Sequence, residues 1–292
     1  WRFHAAGASR LLFTENETNP AVWGYLQEGC FKDAFHRLVV GGEENAVNPD
    51  ASGTKVAAWH QLEVPSGGSA SVCCRLTADG QEIEDFDTVF SARVREADEF
   101  YADVHAGQCG LSGDGCRVQR QAFAGLLWTK QYYHYSVEDW LKGDPAGPPP
   151  PPERRQGRNH DWAHVYTDDI LSMPDKWEYP WFAAWDTAFH MIPYALVDAP
   201  CAKHQLGLLL REWYLHPNGQ IPAYEWAFSD VNPPVHAWAV WRVYKIDQKH
   251  SGKADYFFLE SCFHKLLMNF TWWVNRKDST GDNIFEGGFL GL

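Results

Sequence analysis

Hydrophobic and polar positions change their period once along this chain. Up to about Val94 the alternation is that of strands: Val56–Val64 (VAAWHQLEV) and Ala70–Leu76 (ASVCCRL) read as half-buried strands, and Pro65-Ser66-Gly67-Gly68 between them reads as a hairpin turn. Val89–Val94 reads as a further short strand. These segments are too few to close a sandwich and look like the end of a β-domain whose beginning is missing. At Arg95 the period becomes helical. Glu96–Tyr101 opens a connecting helix with acidic residues in its first turn, where the helix dipole favours them. After the glycine-rich loop Gly107–Gly115, the positions of Phe123, Leu126, Leu127, Lys130 and Tyr133 predict one long amphipathic helix over Val118–Leu141.

Five consecutive prolines from Pro148 make Gly143–Pro152 an extended spacer. Arg154–Asp175 has no clear period but is dense in polar groups, among them Arg158, Asn159, His160, Asp161 and His164. It reads either as a mobile surface loop or as a lid bordering a cleft, and its place before the most aromatic stretch favours the lid. Helices are then predicted over Pro180–Leu196, Ala202–Leu215, His236–Ile246 and Asp255–Asn275, the last closing on Arg276-Lys277-Asp278. His216-Pro217-Asn218-Gly219 is a turn with a built-in helix stop, and Gln220–Pro234 is a loop. Long helices joined by such turns and polar, aromatic loops describe a toroid of helical hairpins with its functional loops at one end.

Composition narrows the class. The formal net charge of -13, from 25 Lys+Arg against 38 Asp+Glu, argues against nucleic-acid or anionic-membrane partners. No apolar run is long enough to span a bilayer. Seven cysteines, an odd number without metal-ligand spacing, read as reduced thiols of a cytoplasmic protein. The chain begins at Trp1 without a methionine and shows no signal peptide, so it reads as a piece of something longer. Fifteen tryptophans exceed what a core requires and suit a saccharide cleft, a Trp-rich helical core being the plainer account.

The candidate chemistry centres on Met173–Leu196. Trp177, Trp181 and Trp185 precede Asp186 at four-residue spacing, and Tyr179, Phe182 and Phe189 add further rings. A sugar ring has an apolar C–H face and a rim of hydroxyls, and flat aromatic surface beside carboxylates and amides matches both. A carboxylate on an apolar helix must be hydrogen-bonded, paired, or held with a raised pKa. Gln220, Tyr224, Glu225 and Trp226 repeat the same mixture in the following loop. The loops Thr14–Asn19 and Lys32–His36 read as solvated loops, or as segments reaching toward a neighbouring cleft.

TENETN at Thr14, KDAFH at Lys32, MPDKWEYPWFAAWD at Met173, HPNGQIPAYEW at His216, NPPVHAWA at Asn232 and NFTWWVNRKD at Asn269 together resemble bacterial members of glycoside hydrolase family 63. That family contains processing α-glucosidases and mannosylglycerate hydrolases. The resemblance implies a mainly α fold, a partial (α/α)6 toroid preceded by the remnant of an antiparallel β-sandwich. Residues 1–94 would be the end of the β-domain, 95–117 a connecting helix and loop, and 118–292 the first part of the toroid. It also implies an inverting mechanism with no metal or organic cofactor, with Asp186 as the general acid and a glutamate on a late helix as the base. No stretch matches that glutamate, so the chain is expected to end before it, which leaves its own turnover open. Trp177, Tyr179, Trp181, Trp185, Gln220, Tyr224, Glu225 and Trp226 are the substrate-binding candidates. Glu225 and Glu286 are the glutamates beside aromatic, Gly-rich or Pro-rich loops, each readable as a ligand for sugar hydroxyls, a helix cap or a partner of arginine. Two functions stay open: an exo-acting α-glycosidase of small saccharides or glycosylated small molecules, and a carbohydrate-binding or scaffold protein using the same cleft. A phosphorylase would need a basic phosphate pocket near Asp186, and the sequence shows none.

Overall fold

The structure, a computed structural model, describes residues 2–78, 85–106, 110–275 and 282. Glu286, Cys109 and the expected helix end Arg276-Lys277-Asp278 lie outside the described residues. The chain divides into two compact units, Trp1–Ala97 and Asp98–Leu292. It is mainly helical with a few short strands.

The first unit holds two separate two-stranded antiparallel sheets. Strand β1 (Arg2–Ala5) pairs with β4 (Cys74–Thr77), and β2 (Arg10–Thr14) pairs with β3 (Lys55–Trp59). The expected hairpin across Pro65–Gly68 is therefore corrected: the turn exists, with Gly68 N–H donating to Pro65 O, but the strands on either side of it take partners from the start of the chain. Leu12 of β2 packs with Ala34 and Leu38 of a short helix, α1 (Ala34–Val39), and with Ala46 and Val47. Val89–Val94 is not a strand. It lies inside α2 (Phe86–Ala106), a helix that starts at Phe86 rather than Glu96, so the helical period begins before Arg95. Asp85 Oδ2 accepts the backbone N–H of Thr88, which fixes that early start.

In the second unit the predicted helix over Val118–Leu141 is three elements. Helix α3 (Gly113–Leu127) is capped by Ser112, whose Oγ accepts Gly115 N–H, and it is followed by strand β5 (Lys130–Ser136) and by helix α4 (Val137–Lys142). Strand β5 pairs antiparallel with β6 (Tyr166–Ser172), Tyr133 facing Asp169 in register. The Arg154–Asp175 stretch is thus not structureless. It carries two short 3-10 turns and β6, and Trp162, Leu171 and Met173 are fully buried. Hydrogen bonds tie β6 to the helices behind it: Thr187 Oγ1 donates to Ser172 O, Ser172 N–H donates to Gln205 Oε1, and Gln205 Nε2 donates to Ile170 O.

The helix predicted from Pro180 is α5 (Ala184–Tyr194), and the one predicted over Ala202–Leu215 is α6 (Ala199–Leu208), capped by Asp198. Beyond Leu208 the chain closes in tighter turns, Leu210 and Arg211 donating to the carbonyls three residues back, while Leu209, Leu210 and Tyr214 stay buried. Helices α7 (Val235–Ser251) and α8 (Tyr256–Asn275) complete the set. Met191, Leu206, Leu210, Val243 and Phe258 are among the residues of the core that α5, α6, α7 and α8 share. A second core, with Trp162, Leu171, Phe182, Tyr214 and Phe228, lies between β6 and the loop after α6. Gly219 presses that loop onto α8: its φ is 94°, and a Cβ there would stand 2.3 Å from Met268 O. No side chain fits, and Asn269 Nδ2 instead donates to Gly219 O at 2.9 Å.

Candidate functional site

The start of α5 has no side-chain cap; the Gln220–Pro234 loop does that work with backbone. Ala184 N–H donates to Ala223 O at 2.9 Å, Glu225 N–H to Phe182 O at 3.1 Å, and Ala183 bridges Tyr224. Those pairings hold residues before Ala184 extended, which is why the helix starts later than Pro180 permits. The shortened helix moves Asp186 into its first turn. There the carboxyl is half-buried, and burial pushes its pKa above the ordinary value of 3.8, opposed by a hydrogen bond from its own backbone N–H. Among the described residues no ion pair holds it.

The loop itself is clamped by Asn159. Its Nδ2 donates to Glu225 O at 2.6 Å and its Oδ1 accepts Phe228 N–H at 2.8 Å, both bonds buried or nearly so. Glu225 Oε2 accepts Phe182 N–H at 3.2 Å. Burial raises the Glu225 pKa, and that backbone donor, Tyr133 and the charge of Arg158 oppose the rise. The Tyr133 hydroxyl, facing this carboxylate without completing a well-formed hydrogen bond, is pushed strongly upward by burial and then by the charge of Glu225. Glu225 is therefore built into the joint between loop and helix, with one edge toward Arg158.

The predicted binding residues fall into two groups. Tyr179, Trp181 and Trp226 form one: Tyr179 meets Trp181 edge-on at 5.3 Å, and Trp181 meets Trp226 at 6.4 Å. Arg158 lies over Trp226 at 4.6 Å and over Trp140 at 5.0 Å, so a cation is sandwiched between two indoles beside Glu225. Trp185 and Gln220 belong to the other group, a cleft that they line together with Asp230, Asn232 and His236. Asn269, Trp272 and Trp273 of α8 form its remaining wall. Gln220 is buried and spends its amide hydrogens on Ser229 O and Asp230 O, both at 3.1 Å. Tyr224 serves the backbone joint. Trp177 is 89% exposed in a turn whose N–H groups, with those of Glu178, are held by Asp175 Oδ1, and it makes no ring contact among the described residues.

Residues 160–175 do not line this cleft; their contribution is the strand and core beneath α5. Asp230, Asn232, His236, Asn269, Trp272 and Trp273 were not singled out from the sequence, although NPPVHAWA and NFTWWVNRKD contain most of them. Aromatic and amide residues recurring in those two motifs were the available signal.

The start of α5 thus carries a half-buried carboxyl, Asp186, next in sequence to Trp185 on the wall of an amide-lined cleft, and Asp186 itself is not among the residues that line that cleft. Residues 179–287 match the family model described as the Mannosylglycerate hydrolase MGH1-like glycoside hydrolase domain. The chain is also similar to the uncharacterized protein YMR196W of Saccharomyces cerevisiae (strain ATCC 204508 / S288c), 51% identical over 302 residues. That similarity covers 97% of this chain and 27% of the relative, so the chain spans about a quarter of the relative's length. No solved structure matches the chain.

Proposed function

We propose that the protein is an inverting, exo-acting α-glycosidase of small saccharides or glycosylated small molecules, with Asp186 as the proton donor. The observation that carries this reading is the Asp186 carboxyl, half-buried in the glycoside hydrolase segment and shifted upward by burial. An ordinary aspartate is ionised at neutral pH and has no proton to give; burial moves it toward the acid form. Asp186 would protonate the leaving glycosidic oxygen while an activated water attacks the anomeric carbon from the opposite face. That water needs a second carboxylate about 6.5–9.5 Å away. We assign no described residue to that role, because Glu225 is engaged with Phe182 N–H and serves better as a positioning group or hydroxyl ligand. Trp181, Trp185 and Trp226 would supply the apolar surface for the sugar rings.

In this reading residues 118–292 form the first part of an (α/α)6 toroid, and residues 1–94 the end of a β-sandwich-like domain. The reaction uses no metal or organic cofactor, as the family resemblance implies. Cys30, Cys73, Cys74, Cys116, Cys201 and Cys262 are free thiols, which suits a cytoplasmic setting. Among the described residues no helix is long and apolar enough to cross a membrane.

One observation favours a second role for the same residue. The first turn of a helix stabilises a carboxylate, and the Asp186 backbone N–H already bonds it. An ionised Asp186 would bind sugar hydroxyls rather than donate a proton. Asp186→Asn separates the two. As the acid, its loss lowers kcat by about 10²–10⁴-fold on unactivated α-glucosides or α-mannosides and far less on donors with a good leaving group. As a hydroxyl ligand, its loss lowers kcat/KM equally for both donors. Unchanged turnover on both would remove Asp186 from the site altogether.

A further inference from the structure

Helix α7 carries a row of basic side chains that no carboxylate among the described residues answers. Arg242, Lys245, Lys249 and His250 line one open cleft of about 480 Å³, with Leu196 and Ile246 as its apolar part. Positions 242, 245, 246 and 249 recur at three and four residues, so they share one face of the helix. Val243 and Tyr244 turn into the core instead. Asp247, the one acid in this part of α7, is tied to Lys203 at 2.9 Å. The described lining holds no aspartate or glutamate, and none of the four basic side chains forms an ion pair among the described residues.

Two observations separate this row from an ordinary solvated helix face. The negative end of the helix dipole attracts cations in the last turn, which accounts for Lys249 and His250 but not for Arg242 and Lys245 further back along the helix. Lys245 is also held in place: its Nζ donates to Gln248 Oε1 at 3.0 Å and lies 5.5 Å from the Trp241 ring. Part of the freedom that a ligand would have to freeze is therefore already gone. Like charges gathered without a counter-ion repel one another, and a bound anion removes that repulsion.

Volume and length indicate which anion. The cleft falls within the size range of small-molecule sites. Arg242 to Lys249 covers about 10 Å along the helix axis, a length that suits linked phosphates better than a single one. Leu196 and Ile246 offer apolar surface to the rest of such a ligand. We propose that this cleft binds a small molecule carrying two or more linked phosphates, either pyrophosphate itself or a nucleoside di- or triphosphate. The inference goes beyond the glycosidase reading and does not rest on it. Leu196 lies past the far end of α5, and about 12 Å of helix separates that end from Asp186, so a phosphate held by this row is no reactant at the Asp186 carboxyl.

The test titrates the full chain with pyrophosphate, ATP and inorganic phosphate by calorimetry, at low salt and without divalent cations. We expect pyrophosphate or ATP to bind with a Kd below about 1 mM, and inorganic phosphate at least about tenfold more weakly. Arg242→Gln and Lys245→Gln should each weaken the tighter probe about tenfold, the effect of losing one charge-assisted contact. Arg117→Gln, which removes an exposed cation of α3, should leave it unchanged. All three positions are exposed, so the variants should melt with the wild type and report binding rather than folding. ATP tighter than pyrophosphate assigns the cleft to a nucleotide, and the reverse assigns it to free pyrophosphate. Absence of binding by both, inorganic phosphate as tight as either, unchanged affinity in Arg242→Gln and Lys245→Gln, or equal weakening by Arg117→Gln each overturns the proposal. Capture of RNA or of phosphatidylserine vesicles through these residues, with neither small probe bound, overturns it as well.

Discussion

Asn159 has a left-handed backbone, φ 61°, and is buried at the centre of the site's support. Asparagine is among the few residues that adopt this conformation readily, and here its amide also completes two bonds to a distant loop. In Asn159→Ala, Glu225 O and Phe228 N–H lose their partners and the alanine is strained. The expected loss is about 2–4 kcal/mol of unfolding free energy in urea titrations. Asn159→Gly should recover about 1 kcal/mol of it, the part that belongs to the backbone conformation. A loss below about 0.5 kcal/mol in the alanine variant would show that the loop holds itself. The sequence marked Asn159 only as one polar residue in a polar stretch, because both of its partners lie far along the chain. Asp186 could be singled out as a candidate because its aromatic neighbours are adjacent in sequence. His236 could not, since its partner is the carbonyl of Leu206 on another helix.

At the scale of elements, the instructive error is β5. Phe123, Leu126 and Leu127 have true helical spacing and belong to α3, but Lys130 and Tyr133 continue that spacing by coincidence. The local pattern from Lys130 to Ser136 is alternating: Gln131, Tyr133 and Tyr135 are partly covered, while Lys130, Tyr132 and His134 include the exposed positions. Aromatic residues at every second place suit a strand, and the partner that makes it one, Tyr166–Ser172, sits beyond the proline spacer. Tyr133 stacks on Phe182 at 5.9 Å and Tyr135 lies 5.9 Å from Phe228, so this hairpin forms the floor under the start of α5. Amide hydrogen exchange distinguishes the two assignments. In an isolated antiparallel pair, alternate N–H groups of Lys130–Ser136 bond across the ladder, so protection should alternate along the segment. Contiguous protection of all these amides would mean that the helix of Val118–Leu141 forms after all. By contrast the start of α7 and both ends of α8 were legible to within a residue, two prolines marking the first of these, whereas α7 runs on from the expected end at Ile246 to Ser251, where Gly252 at φ 70° stops it.

At the scale of the molecule, a chain with net charge -13 brings two of its carboxylates together on one lysine. Lys203 of α6 donates to Asp247 of α7 at 2.9 Å and to Asp255, just before α8, at 2.6 Å. Burial alone would lower the Lys203 pKa, but the hydrogen bonds to Asp255 and Asp247 outweigh it and hold it above 10.5. Asp255 is held below 3.8, first by Lys203 and then by Phe258 N–H. Each shift fixes a pH window. The depressed Asp255 contributes stability above the ordinary aspartate range, which is lost as pH falls through its folded value, and the raised Lys203 contributes stability that is lost only at strongly alkaline pH. The three side chains are largely covered, with Lys203 18%, Asp247 16% and Asp255 35% exposed, so solvent screens them less than a surface pair. Removing the cation leaves two carboxylates facing each other at the point where three helices meet. Lys203→Met should therefore cost about 2–4 kcal/mol at pH 7, less than a fully buried pair because water still reaches Asp255. For a unit of this size that is a fall in Tm of about 5–15 °C. The gap between variant and wild type should narrow as pH drops below 3.8 and Asp255 takes up a proton in both proteins. Melting curves from pH 7 to pH 3 read both effects. If the variant melts with the wild type at pH 7, the triad is an exposed ion pair in energetic terms, and the apolar contacts of Met191, Leu206 and Val243 hold the helices together by themselves.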